Sequence, residues 1–158
     1  MNNIKTKRLL LRRWKDSDIP CFIQMNKDPK VMKYFPNTLS EEESKKFVSK
    51  INNHFNKYGY GLWAVELLKT GNFIGFIGFK KASFKATFTP CIEIGWRVAS
   101  DYWNKGYATE GATKCLKYGF DIYGFKEIYS FTAKINKPSI RVMEKIGMKK
   151  KNEFNYQK

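Results

Sequence analysis

Thiol and imidazole side chains are scarce in this chain of 158 residues, which has three cysteines and one histidine. Cys21, Cys91 and Cys115 are odd in number and lie far apart, so they provide neither a disulfide framework nor a Cys-x-x-Cys metal site. We expect them to be reduced thiols in the core. His54 falls on the polar side of a predicted helix, where we expect a solvated residue, and no metal ligand set can be assembled around it. The sequence therefore predicts no metal cofactor.

Long hydrophobic runs are also missing. No apolar stretch approaches the roughly 20 residues that a membrane-spanning helix needs, and residues 1–5 lack the apolar segment of a secretion signal. Hydrophobic residues make up 42% of the chain and charged residues 28%, a balance too apolar for a disordered protein. No repeat or Pro/Gly/Ser-rich linker divides the sequence. We therefore expect a single cytoplasmic domain over residues 1–158, without a membrane partner.

Acidic residues are few, since 14 Asp and Glu stand against 30 Lys and Arg and leave a net charge of +16. Nucleic-acid-binding proteins carry charge of this size, usually as arginine-rich runs or as a basic stripe. Here 25 lysines and only five arginines are scattered along the chain, beside 12 asparagines. A lysine- and asparagine-rich background composition or an anionic ligand explains this pattern better, so a nucleic acid partner is not expected.

Hydrophobic periodicity and turn residues predict an α/β domain. In chain order we expect a strand at 9–14, a helix capped at 16–18, a helix from the capping box at 40–43 to residue 59, strands at 62–68 and 73–79 joined by a hairpin turn, a strand at 92–98, a helix over 108–123, a strand at 128–133, a helix over 136–146 and a last strand from 148. The early hairpin is antiparallel and the later β-α-β crossover is parallel, so we expect a mixed sheet.

The strand-to-helix turn at 103–108 is a candidate anion site. The first N–H groups of a helix have no partner inside the helix and attract phosphates, and Gly106 lets a ligand approach them closely. The segment lacks a Gly-rich dinucleotide fingerprint, and the chain has no Gly-Lys-Ser/Thr sequence, so neither a nicotinamide cofactor nor a nucleoside triphosphate is indicated. The alternative is a plain helix entry without a ligand.

Six sequence blocks, taken together and in order, carry a family resemblance. They are Arg8–Arg12, Gly61–Val65, Phe73–Gly78, Glu93–Arg97, Trp103–Glu110 and Asn136–Met148. Over about residues 7–148 they resemble the GNAT acyltransferases, and within these the RimJ/RimL-like branch of ribosomal-protein-alanine N-acetyltransferases. The resemblance implies the α/β GNAT fold, in which a mixed central sheet of six to seven strands is flanked by about four helices and splays into a cofactor cleft between the fourth and fifth strands.

The resemblance also implies acetyl-CoA as cosubstrate. Its pyrophosphate would lie on the amides of Trp103, Asn104, Lys105, Gly106, Tyr107 and Ala108, and its pantetheine arm along the backbone of Trp96, Arg97 and Val98. A backbone N–H of this strand would stabilise the developing oxyanion. By match, Asn136 contacts the cofactor arm and Ser139 donates a proton to the departing thiolate. From local structure alone, Asn136 is a helix cap and Ser139 a plain first-turn serine.

The implied reaction is direct transfer of the acetyl group to a primary amine in a ternary complex. The amine belongs either to a protein N-terminus or to a small molecule, and it must be neutral when it attacks. Strand alternation places Glu93 on one face with Gly95 and Arg97, which makes Glu93 our candidate base. The alternative for Glu93 is a carboxylate paired with Arg97 or a nearby lysine. Glu66 is a second candidate base that we interpret as structural.

Three aromatic residues, Tyr34, Phe35 and Trp63, are candidates for an acceptor pocket, with core or rim packing as the alternative. The chain departs from the family pattern at Asn104, where glycine is common, and at its end. Members usually continue past the position of Phe154 into a final strand that lines the acceptor site. Either that C-terminal strand is missing, or a second copy covers the edge in a homodimer. The alternative function is a catalytically degenerate GNAT-fold basic module that binds RNA or the ribosome.

Overall fold

The computed structural model describes residues 3–151 and residue 153, and within them five strands and four α-helices. In chain order these are β1 (Ile4–Lys5), β2 (Leu9–Arg12), α1 (Asp18–Lys27), α2 (Glu41–Tyr58), β3 (Leu62–Leu67), β4 (Phe73–Ala82), β5 (Cys91–Val98), a 3-10 turn (Ser100–Tyr102), α3 (Tyr107–Asp121) and α4 (Lys137–Lys145). The strands pair in the order β1-β2-β3-β4-β5, and every pair is antiparallel.

The strand count differs from the expectation of six to seven strands in a mixed sheet. The short strand β1 was not predicted, whereas the predicted strand at 128–133 contacts β5 only through one parallel bridge, between Glu93 and Tyr129. Two backbone hydrogen bonds flank that bridge, and the described residues form no further backbone ladder between this segment and β5. The predicted last strand does not form over residues 148–151, and its remaining part, apart from residue 153, lies outside the described residues.

Local sequence signals account for the helix boundaries. The capping box of α2 forms as predicted, with Ser40 Oγ accepting from the N–H of Glu43 at 3.1 Å and Glu43 Oε1 accepting from the N–H of Ser40 at 2.9 Å. The helix ends at Gly59, which adopts the left-handed conformation common after helix C-termini. In α1, Ser17 makes no capping bond through its side chain.

Helices cover both faces of the sheet. Neighbouring residues of β4 show this, because side chains alternate between the faces of a strand. The Phe76 ring packs against Phe22 of α1 and Phe47 of α2. The Ile77 side chain lies on the other face, where it contacts α3 so closely that a methyl group on Gly111 would lie 2.3 Å from its Cδ1 atom. We call these the α1/α2 face and the α3 face.

A buried ion cluster ties α1 to the sheet. Arg12, with 8% of its side chain exposed, donates to both carboxylate oxygens of Asp18 at 2.8 and 3.0 Å and through Nε to Glu66 Oε1 at 2.5 Å. These two carboxylates compensate the charge of the guanidinium and hold its pKa above the usual value, chiefly through the hydrogen bonds to Asp18. The interpretation of Glu66 as a structural residue is therefore confirmed.

His54 joins two segments, and the expectation of a solvated side chain was wrong. Its Nε2 atom accepts from the N–H of Lys81 at 3.1 Å, which places the ring proton on Nδ1, 2.9 Å from the carbonyl of Tyr60. Burial lowers the pKa of His54, and this favours the neutral ring that the arrangement requires.

The three cysteines are free, but only Cys115 is a core thiol, because Cys91 is half-buried and Cys21 is exposed.

Within the described residues, no helix is both long enough and apolar enough to cross a membrane.

Candidate active site

A cavity of about 980 Å³ opens between β5, the segment 128–133 and the N-terminal ends of α3 and α4. The loop between α1 and α2 closes one side of it with Tyr34 and Phe35. The cavity lies at the position expected for the cofactor cleft, because β5 is the fourth of the predicted strands and 128–133 is the fifth.

The cavity exposes the free edge of β5. The last contacts with the neighbouring segment are the N–H of Ile94 with the carbonyl of Tyr129, at 2.8 Å, and the hydroxyl of Ser130 with the carbonyl of Ile94, at 3.0 Å. Alternate residues of a strand direct their N–H and C=O groups to the same edge, so those of Trp96 and the N–H of Val98 also face the cavity. The carbonyl of Val98 accepts from Trp103 Nε1 at 2.7 Å. An extended ligand can therefore pair with this edge as an added strand.

The N-terminus of α3 forms a second wall of the cavity. Gly106 precedes the helix in the left-handed conformation, with φ of 79°, and no side chain caps the helix. The first bond of the helix joins the N–H of Glu110 to the carbonyl of Gly106, which leaves the N–H groups of Tyr107, Ala108 and Thr109 without partners inside the helix. Such a terminus binds anions through its amides and its dipole.

Asn104 takes the place of a common glycine without disturbing this turn. It has φ of 60°, in the left-handed region that asparagine tolerates better than most residues do. Glu110 anchors the helix to the turn between β1 and β2 by accepting hydrogen bonds from Thr6 Oγ1 at 2.5 Å, from Arg8 Nε at 2.7 Å and from the N–H of Arg8 at 2.9 Å.

The N-terminus of α4 brings two predicted residues to the cavity. Asn136 Oδ1 accepts from the N–H of Ser139 at 3.2 Å, so the side chain of Asn136 does act as a helix cap. The hydroxyl of Ser139 makes no hydrogen bond within residues 3–151 and 153, although the residue lines the cavity. The Ser139 hydroxyl is therefore available to donate a hydrogen bond or a proton to a ligand in the cavity.

Glu93 and Arg97 do not pair with each other. The carboxylate of Glu93 makes no hydrogen bond or ion pair within the described part of the chain, and burial raises its pKa against the opposing effect of Lys80. The guanidinium of Arg97 instead donates through Nη1 to Asn26 Oδ1 at 2.8 Å. Glu93 therefore has the elevated basicity that suits a general base, because burial without a partner disfavours its charged form.

The structure brings most of the predicted site residues to one cavity. Its wall contains Tyr34, Phe35, Glu93, Trp96, Arg97, Val98, Trp103, Asn104, Gly106, Tyr107, Ala108, Asn136 and Ser139. Two predicted residues lie elsewhere. Trp63, with 2% exposure, packs in the core against Phe55 and Phe79, and Lys105 is exposed outside the cavity wall.

Asn26, which was not among the predicted site residues, is fully buried at the end of α1. Its Nδ2 atom donates to Ser44 Oγ at 3.0 Å, while its Oδ1 atom accepts from Arg97. Its carbonyl accepts from the N–H of Leu39, at 3.0 Å, and so closes the loop beside the cavity. No local pattern marks this role, because the three partners are distant in sequence.

In the described residues, no group of three or more His, Cys, Asp and Glu side chains lies close enough together to hold a metal ion.

The fold is that of the GNAT acyltransferases, and its cavity combines a free strand edge with an uncapped helix terminus. The acetyltransferase (GNAT) domain model matches residues 8–149, and the chain belongs to this family of acetyl-CoA-dependent acyltransferases. It is 38% identical over 153 residues to the uncharacterized N-acetyltransferase YnaD of Bacillus subtilis, covering 96% of this chain and 85% of that protein.

Solved structures share the fold. The GNAT-family acetyltransferase from Bacillus anthracis is 35% identical, with a TM-score of 0.81 over 96% of this chain and 86% of that one. The spermidine N-acetyltransferase from Vibrio cholerae, in complex with CoA and spermine, is 21% identical, with a TM-score of 0.73 over 94% of this chain and 88% of that one. At the lower identity the likeness supports the fold alone.

Proposed function

We propose that this protein transfers the acetyl group of acetyl-CoA directly to a primary amine within a ternary complex. The observation that carries this proposal is the free edge of β5 at Trp96 and Val98, which shares one cavity with the uncapped N-terminus of α3. The edge suits the amide-bearing pantetheine arm, and the helix terminus suits the pyrophosphate.

The proposed chemistry asks for positioning, an oxyanion donor, a base and an acid. A backbone N–H at the β5 edge would stabilise the oxyanion that forms when the amine attacks the thioester carbonyl. Glu93 would take a proton from the amine, directly or through water, and Ser139 would give a proton to the thiolate as the C–S bond breaks. No covalent intermediate on the protein is needed, because both substrates occupy the same cavity.

The acceptor is proposed to enter from the α1/α2 face. Tyr34 and Phe35 line the cavity there, whereas Trp63 is a core residue, so the acceptor pocket that we propose consists of the first two without the third. Taken alone, the sequence blocks slightly favour a protein N-terminus as the acceptor, as in the ribosomal-protein N-acetyltransferase branch. The charged residues of the cavity favour the second class, a small-molecule amine.

Two measurements test the function. Acetyl-CoA at 100 times its dissociation constant should stabilise the protein by about 2.7 kcal/mol, seen as a higher melting temperature. A panel of amines and N-terminal peptides should then release free coenzyme A in a thiol assay. An unchanged melting temperature at millimolar acetyl-CoA would refute the proposal. RNA binding that weakens steeply with salt, without any thiol release, would instead support the degenerate basic module.

Ser139→Ala tests the proposed acid. We expect kcat to fall by on the order of 10²-fold, while the acetyl-CoA concentration that half-stabilises the protein changes little, because the hydroxyl would act mainly on the leaving group. Ser49→Ala, at an exposed position on α2, is the matched control and should keep full turnover. An unchanged kcat in Ser139→Ala would remove the role assigned to this hydroxyl.

A further inference from the structure

Arg97 is a charged group without a counter-charge. It makes no ion pair within residues 3–151 and 153, and its Nε atom is buried without a hydrogen-bond acceptor. The guanidinium lies among three rings, 4.8 Å from the centroid of Phe35, 5.3 Å from that of Phe47 and 5.1 Å from that of Phe76. Burial lowers the pKa of Arg97 to about 10. The site therefore favours an anion that would complete it.

Arg12 shows how the same chain treats a buried guanidinium that has only a structural task. Its charge is met by two carboxylates, those of Asp18 and Glu66. Arg97 has only the neutral amide oxygen of Asn26 and the faces of aromatic rings. Because ring faces and an amide oxygen attract a cation without neutralising it, they hold Arg97 in place and keep it available to a carboxylate.

The position of Arg97 assigns this anion to the acceptor rather than to acetyl-CoA. Arg97 pairs across the sheet with Phe76, so its side chain lies on the α1/α2 face. Trp96 pairs with Ile77 on the opposite face, where α3 presents the helix terminus proposed for the pyrophosphate. The side chain of Arg97 therefore leaves β5 on the face opposite to the one that carries the proposed phosphate site, although both line the same cavity.

The wall of the cavity favours an acidic acceptor over a cationic one. On the side of the α1–α2 loop and of the Glu93 face of the sheet, its basic side chains are Lys30, Lys33, Lys80 and Arg97, and its acidic ones are Glu43 and Glu93. The carboxylate of Glu43 already accepts from the N–H of Ser40 in the capping box. A polyamine would meet repulsion in such a wall, whereas a carboxylate would be attracted.

Room for a small molecule exists between Glu93 and Arg97. They lie four residues apart on one face of β5, roughly 13 Å between Cα atoms at about 3.3 Å per residue. Gly95 lies between them, and a Cβ atom there would have nothing within 4 Å. A small acceptor can thus lie over Gly95 with its carboxylate on Arg97 and its amine on the side of Glu93, which the amine reaches directly or through water.

The geometry points to an amino acid as the acceptor, an inference that rests on the proposed acetyl transfer. Arg97 binds the carboxylate of this amino acid, while the amine faces Glu93 and the thioester. Arg97 is then the residue that determines substrate specificity. A peptide whose carboxylate is an amide bond lacks the group that Arg97 recognises.

Matched pairs of amines test this assignment. Free amino acids and their carboxamides are compared as acceptors by coenzyme A release, with kcat/KM expressed per neutral amine because the two series have different amine pKa values. We expect each acid to exceed its amide at least 10-fold in the wild-type protein. Arg97→Gln should reduce that ratio below 3-fold, and Arg97→Lys should leave an intermediate ratio, because lysine keeps the charge without the planar fork.

Two further variants separate recognition from folding. Asn26→Asp places a carboxylate of the protein itself beside Arg97, so we expect the preference for acids to fall although Arg97 is intact. Arg13→Gln is the matched control, because Arg13 also has a buried Nε without an acceptor and lies 4.5 Å from the ring of Phe55, but it is outside the cavity wall. This control should lower the melting temperature while the acid preference stays at its wild-type value.

The outcomes separate the two proposals. Release of coenzyme A with amides, peptides or polyamines in preference to amino acids would overturn the assignment of Arg97 and leave acetyl transfer standing. An acid preference that persists in both Arg97→Gln and Asn26→Asp would also overturn it. No release with any amine of the set would overturn the acetyl transfer itself, and the assignment of Arg97 with it.

Discussion

Gly75 on β4 lies against the backbone of β5 at Arg97 and Val98, two residues that line the cavity. A Cβ atom at Gly75 would lie 2.0 Å from the carbonyl oxygen of Arg97 and 2.9 Å from Val98 Cα. Its φ of +150° is also one that residues with side chains rarely adopt. Because the clashing atoms belong to the backbone, no side-chain rotation relieves the contact, and Gly75→Ala must displace β5 at the segment whose free edge faces the cavity.

The expected cost follows from these two strains. Overpacking and an unfavourable backbone conformation each cost roughly 1–3 kcal/mol, so we expect Gly75→Ala to lower the free energy of unfolding by about 3 kcal/mol. At roughly 2–4 °C per kcal/mol for a domain of this size, the melting temperature should fall by about 6–12 °C. A displacement on the order of 1 Å at the proposed acetyl-CoA strand should lower kcat/KM for acetyl-CoA by about 10²-fold.

The assays are thermal unfolding with and without acetyl-CoA, and coenzyme A release. Gly95→Ala on the neighbouring strand is the matched control for stability, because a Cβ atom at Gly95 meets nothing within 4 Å. It should melt within about 2 °C of the wild-type protein. If Gly75→Ala also melts within about 2 °C of the wild-type protein, the close approach does not constrain β5 and the reasoning fails.

Two titrating residues give further predictions. Burial raises the pKa of Glu93, so the folded state holds this proton more tightly than the unfolded state does. The stability that results is fully present below pH 4.5 and is lost as the pH rises through the pKa of the folded state. Glu93→Gln should therefore melt higher than the wild-type protein at pH 8 but not at pH 4, while kcat falls by about 10²-fold or more; retained kcat would exclude the base. Burial lowers the pKa of His54, so the folded state favours the neutral ring. The stability that results is fully present above pH 6.5 and is lost as the pH falls through the pKa of the folded state. The difference in unfolding free energy between the wild-type protein and His54→Gln, measured in urea, should shrink from pH 7.5 to pH 5, and an unchanged difference would contradict the bonds to Lys81 and Tyr60.

Much of the fold could be predicted because its signals are local. The capping box at Ser40, the hairpin between β3 and β4 and the glycine before α3 each lie within a few residues of the element that they shape. The predicted strand at 128–133 failed for the complementary reason. Its sequence favours a strand, but pairing depends on the distance to β5, and the two segments separate after one bridge.

The candidate site also has features that the sequence predicted and features that it did not. The alternation of β5 placed Glu93 and Arg97 on one face, and the structure agrees. The alternative, a Glu93–Arg97 ion pair, does not form, because the guanidinium of Arg97 donates instead to Asn26, a residue of α1. Trp63 illustrates the same difficulty, since an aromatic residue suits a pocket and a core equally well by composition.

By itself, the amino-acid sequence determined the helices, the main strands and the family, because periodicity, caps and turns act over a few residues. Only the tertiary structure decided which polar groups compensate one another. Burial and distance set the energy of a charge, and both arise when remote segments pack together, as the contrast between Arg12 and Arg97 shows.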